Sequence, residues 1–91
     1  MTGSAKQIAW AEDIKNGALA QCDRVIKQFE ENYHPIHQMT IDAAKEIKNT
    51  LEAGFAQIDD AKWYIDNRAN FTSSAVLDQI QKLELWKRNN K

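Results

Sequence analysis

Thr2-Gly3-Ser4-Ala5-Lys6-Gln7-Ile8-Ala9-Trp10-Ala11-Glu12 opens the chain, and its reading decides the fold. Ser4 followed three residues later by Gln7 is a capping box. The serine hydroxyl accepts from the third helical amide while the glutamine reaches back to the cap amide, so a helix starts here. From that start Ile8, Ala11, Ile14, Ala18, Cys22, Val25, Phe29 and Tyr33 recur at three- and four-residue steps. This is one apolar stripe held for about seven turns. Gly17 lies inside the pattern and costs about 1 kcal/mol relative to alanine in a helix interior. Because the period continues past it unbroken, a close helix–helix contact is expected at that glycine.

Working outward, His34-Pro35 ends the first helix, since the proline ring disfavours helical geometry in the residue before it. A second helix begins at Pro35 or at Thr40, with Asp42 near its positive end. Its stripe is Ile36, Ala43, Ile47, Leu51, Phe55 and Ile58, and the longer version, running to about Gln57 through Gly54, is favoured. Asp59 or Asp60 caps a short third helix through Trp63, Tyr64 and Ile65, which Asn67 and Arg68 terminate. Thr72-Ser73-Ser74 precede a fourth amphipathic helix carrying Val76, Leu77, Ile80, Leu83 and Trp86. No β-type alternation and no internal repeat occurs. The expectation is an all-α protein: a small antiparallel helical bundle with two long helices, one short helix and a C-terminal closing helix.

Composition is consistent with that fold. Residues 1–91 make a single domain, with 43% hydrophobic and 27% charged residues, the balance of an ordinary soluble helical protein. The lone Cys22 excludes an intrachain disulfide, and neither a signal peptide nor a long apolar span is present, so a cytoplasmic protein is expected. Asn70-Phe71-Thr72 has the form of a glycosylation sequon but reads as a loop and a helix cap. The formal net charge of −1 gives no global attraction to nucleic acid or to an acidic membrane.

Catalytic and cofactor signatures are absent. Cys22 lies on the apolar stripe, and no Ser-His-Asp or Cys-His arrangement, glycine-rich phosphate loop or nucleotide fingerprint occurs. His34 and His37 flank Pro35-Ile36, but a zinc site would need two further ligands from Cys22, Glu30, Glu31 or the distant Asp59-Asp60 pair. Two turn histidines are the simpler reading. The expectation is a non-enzymatic protein without metal or cofactor.

The aromatic sites are the candidate working surface. Trp10 stands off the main stripe beside Glu12 and Asp13, and Trp63 and Tyr64 are adjacent, so the two rings must point different ways. Two readings stand side by side. In one, Trp10 and Trp63 clamp the first helix against the third, leaving Tyr64, Glu12 and Asp13 to face a partner. In the other, Trp10, Tyr64 or Trp86 forms part of the contact surface, as aromatic anchors do at protein interfaces. The partner-binding set is therefore Trp10, Glu12, Asp13, Tyr64, Asp66, Arg68 and Trp86, with Leu85, out of register with Leu83 and Trp86, extending the apolar surface. A second set, Lys82, Lys87, Arg88 and Lys91, could touch a phosphate backbone, although basic residues in a last turn also complement the helix dipole.

The run Thr-Gly-Ser-x-Lys-Gln-x-x-Trp-Ala-Glu-x-Ile over residues 2–14, together with Ala61-Lys62-Trp63-Tyr64-Ile65-Asp66-Asn67-Arg68, resembles a pair of motifs in small helical proteins of Gram-positive bacteria, their phages and mobile elements. The resemblance implies a setting rather than a mechanism. Relatives often carry Arg where this chain has Lys15, which weakens bidentate carboxylate or phosphate recognition there. Three function classes follow. The leading one is a protein-binding accessory or inhibitor that occludes its partner, such as an anti-defence protein blocking a host nuclease. The others are a nucleic-acid accessory factor using the basic C-terminal helix and a structural homo-oligomer, with a monomer or homodimer expected.

Overall fold

A computed structural model describes residues 1–90 and consists of four α-helices joined by short connections, with no strand among the described residues. The first helix, α1, spans Ala5–Glu31. The Ser4 hydroxyl accepts from the Gln7 amide at 3.1 Å and the Gln7 side chain accepts from the Ser4 amide at 3.0 Å, which is the predicted capping box. Pro35–His37 form a single 3-10 turn, and α2 spans Gln38–Gln57. Neither proposed start of the second helix is met. The proline opens the turn, His34 caps it by accepting from the Ile36 amide, and the α-helix proper begins one turn later.

The short helix α3 spans Ala61–Asp66, with Asp60 accepting from the Lys62 amide as its cap. After a second 3-10 turn at Arg68–Phe71, α4 spans Ser73–Asn89, capped by Thr72 through the Ala75 amide. The side chains that meet show the directions. Glu30 faces Lys45 and Asp23 faces Lys48, so α1 and α2 are antiparallel. Thr40 binds Glu84 while Phe55 stacks on Phe71, so α4 is antiparallel to α2 and parallel to α1. Helix α2 lies in the middle. It packs extensively on both long neighbours, whereas α1 and α4 touch less.

That central position explains its burial pattern. Ala43 and Ala44 are both fully buried. Successive residues of a helix lie about 100° apart, so two adjacent buried positions require a core on two sides. The single stripe read from the sequence missed Ile41 and Ala44 for this reason. The remaining core comes from Ala11, Ala18, Cys22 and Val25 of α1, Ala61 and Tyr64 of α3, and Val76 and Ile80 of α4. The small side chains on α1 and α2 let those helices approach closely.

Gly17 does not mark that approach. It is exposed, and a Cβ placed on it would meet nothing within 4 Å. The glycine that is needed for packing is Gly3. Its φ of +133° suits a residue without a side chain, and a Cβ there would stand 3.0 Å from that of Ala61.

Candidate functional site

The two sequence motifs meet in space. The Thr2 amide donates to the Asp59 carbonyl and the Thr2 carbonyl accepts from the Ala61 amide, both at 2.9 Å. Gly3 then turns the chain and Ser4 starts α1, so Thr2-Gly3-Ser4 is the strap that docks the beginning of α1 on the beginning of α3. Farther along, the Arg68 guanidinium lies 5.2 Å from the centre of the Trp10 ring, a cation–π contact.

Within this arrangement Tyr64, expected to face a partner, is the more deeply buried of the two adjacent rings, and Trp63 packs against the edge of the core. Tyr64 is fully buried, and its hydroxyl donates toward the carbonyls of Ile58 at 2.7 Å and Phe55 at 3.1 Å. Trp63 is only half-buried and packs edge-on against Tyr64. Helix α3 is less than two turns long, and Tyr64 is the position whose azimuth reaches the carbonyls of Phe55 and Ile58 at the end of α2. Tyr64 is therefore a core plug and not a partner-facing side chain. Burial, then the carboxylates of Glu12 and Asp59, push its phenol up from the ordinary tyrosine value. Nor is Trp10 a core clamp, since 46% of it is exposed.

Lys15 lies beside the Tyr64 plug. Its ammonium sits 5.5 Å from the Tyr64 ring centre and 3.8 Å from Glu12, half-buried over the aromatic plug. Glu12 is thus an exposed residue engaged by Lys15 on the flank beside Tyr64, about 100° around α1 from Asp13. Asp66 is exposed and pairs with Lys62 at 2.9 Å, an interaction that raises the lysine pKa.

Asp13 and Arg68 line a groove that the sequence reading did not find, and Trp10 lies beside it against the Arg68 guanidinium. Along α1 the positions Trp10, Ile14, Gly17, Gln21, Arg24 and Gln28 recur at three- and four-residue steps, a second stripe flanking the core stripe. Its upper lobe, of ≈520 Å³, lies between Asp13, Ile14 and Gly17 on one wall and Arg68, Phe71 and Ser73 on the other. Its lower lobe, of ≈550 Å³, has Val25, Phe29, Leu77 and Ile80 as its apolar floor and Gln21, Gln28, Gln81 and Arg88 on its rim. Arg24 crosses between the lobes, donating to Gln21 and, at 3.3 Å, to the Ser73 hydroxyl. The signal available in the sequence was this mixed stripe, apolar or small at Trp10, Ile14 and Gly17 and polar at Gln21, Arg24 and Gln28, which shares Ile14 with the core stripe.

The C-terminal basic residues are engaged within the fold. Lys82 pairs with Asp78 at 2.9 Å and Lys87 with Glu46 at 2.8 Å. Arg88 lies 3.6 Å from Glu84 and donates to the Ile36 carbonyl. Lys91 lies outside the described residues. Leu85 and Trp86 are each 60% exposed. The α4 residues lining the lower lobe are Leu77, Ile80, Gln81, Glu84 and Arg88. Trp86 is about 200° around the helix from Glu84 and so belongs to the other flank.

Cys22 is buried in the core, where desolvation and then the neighbouring Asp23 raise its thiol pKa, the opposite of nucleophile activation. His37 packs on Phe29, and among the described residues no three His, Cys, Asp or Glu side chains converge as metal ligands. No described helix is long and apolar enough to cross a membrane. No protein-family model, curated protein or solved structure matches the chain.

Proposed function

We propose that this protein is a non-enzymatic binding module of the cytoplasm that acts by occupying a partner protein, with the seam between α1 and α4 as its contact surface. The observation that carries this reading is the groove itself. It joins an apolar floor to a polar rim and an exposed Trp10, the composition of a protein contact site. A one-to-one inhibitor in a phage or mobile-element setting fits that surface, because occlusion requires a complementary face and no reacting groups. The nucleic-acid alternative has less to support it. Lys82, Lys87 and Arg88 each lie beside a carboxylate of the same chain, so phosphate contacts would first have to displace internal partners.

The test is affinity capture from the source organism's extract after nuclease treatment, run in parallel with Gly17→Phe and Lys62→Ala. Capture of one defined protein that Gly17→Phe abolishes and Lys62→Ala preserves is the expected result. If that protein has an activity, it should fall in proportion to added chain and reach zero at equimolar ratio. Recovery of nucleic acid alone, or of further copies of this chain alone, would overturn the reading.

A further inference from the structure

The groove's charges point to the chemistry of its occupant. We infer, resting on the binding reading above, that the groove receives an acidic amphipathic helix from the partner, seated between α1 and α4 with one large apolar side chain in each lobe.

Three observations support this. First, Arg24 and Arg68 are held in place by neutral acceptors: Gln21 and Ser73 for the former, the Ile65 carbonyl for the latter. Neither has a carboxylate within salt-bridge distance among the described residues. Every other described lysine and arginine except Lys6 does. The charged residues lining the two lobes are Arg24, Arg68 and Arg88 against Asp13 and Glu84, and Glu84 is already engaged by Thr40 and Arg88, so the excess is basic. Arg24 in the lower lobe and Arg68 in the upper are matched to carboxylates, which the planar fork binds in bidentate fashion.

Second, the walls are helices without a free strand edge. An occupant of an apolar seam must satisfy its own backbone donors and acceptors, and a helix does so internally. Added between α1 and α4, it would complete a four-helix arrangement.

Third, Gly17 faces open space, so its cost to α1 has no return within this chain. An incoming helix can approach the α1 backbone closely there. From Gly17 in the upper lobe to Gln28 in the lower is eleven residues, about 16 Å at the helical rise. The partner's two anchors are accordingly about three turns apart, with acidic residues between and beside them to meet Arg24 and Arg68.

The experiment uses two synthetic fluorescent helical peptides that share Phe anchors eleven residues apart, one with glutamates on the flanking positions and one with lysines. Fluorescence anisotropy against the full chain at physiological salt is expected to show binding of the glutamate peptide at least about tenfold tighter. Arg24→Glu combined with Arg68→Glu should reverse the preference. Gly17→Phe, which fills open space and leaves the melting temperature unlowered, should weaken the glutamate peptide by a similar factor. Equal binding of both peptides, preference for the lysine peptide, or indifference to Gly17→Phe would overturn the inference. So would a dimer in sedimentation that Gly17→Phe dissociates, which would put a second copy in the groove. If the inference fails while a captured protein still competes at Gly17, the binding reading stands and only the helix is wrong. If capture fails too, both fall.

Discussion

The seam between α1 and α2 and the seam between α1 and α4 share one helix and differ in almost everything else. The first is closed: Ala18, Cys22 and Ala44 are fully buried, and ion pairs from Lys48 to Asp23 at 2.7 Å and from Lys45 to Glu30 at 4.0 Å cross it. At its upper end Tyr64 plugs the core and donates into α2's last carbonyls. The second seam has no ion pair from α1 to α4 among the described residues. It has glutamines and arginines along its rim and is open in two lobes. One helix therefore carries a face specified for packing beside a face with unused hydrogen-bonding capacity.

The sharpest way to break this comparison is to substitute aromatic residues on the two sides. Tyr64→Ala, on the closed side, is expected to cost about 3–5 kcal/mol in chemical denaturation, as other large-to-small core changes do. Trp10→Ala, beside the open seam, should cost about 1 kcal/mol or less, the worth of an exposed cation–π contact. Equal effects would show that the two seams are not different in kind.

A finer cut is Tyr64→Phe, expected to cost about 1–3 kcal/mol because it leaves the Ile58 carbonyl without its donor. The same variant tests the raised phenol pKa. The group leaves stability unchanged below the unfolded tyrosine value of about 10, and stability then falls as pH rises through the higher folded value. Tyr64→Phe should flatten that alkaline decline in a series of pH-dependent melts.

On the open side, Gly17→Ala should raise stability by about 1 kcal/mol, since the helix gains an alanine and the new methyl group meets nothing. A loss in the denaturation midpoint would mean that the seam is closed at this point in solution. The smallest effect concerns Lys48, whose pKa is raised chiefly by its hydrogen bond to Asp23. Lys48→Ala should lower the melting temperature slightly at low salt and not at all in molar salt, because exposed pairs are screened. The pair contributes below the ordinary lysine pKa and is lost as pH rises through the raised one.

Reading the chain in order was sufficient for the four helices and for most of their ends, the start of α2 after its 3-10 turn excepted. Ser4 with Gln7, Asp60 with Lys62 and Thr72 with Ala75 are contacts within three residues. A cap depends only on side chains that near in sequence, so its chemistry is legible without a fold. The apolar period of α1 likewise marks its buried face.

What the sequence by itself could not determine is where a side chain goes when two directions are equally open to it. Trp63 and Tyr64 both suit a core, and it is Tyr64 whose hydroxyl reaches the carbonyls of Phe55 and Ile58 at the end of α2, nine and six residues back. The two-sided burial of α2 follows from its place between α1 and α4, and the groove follows from the looser packing of those two. Arg24 reaches Ser73 across 49 residues, and Trp10 meets Arg68 across 58. Such meetings depend on helix azimuth and spacing, which only tertiary packing sets, because local periodicity marks which face of a helix is apolar and leaves open what that face will meet.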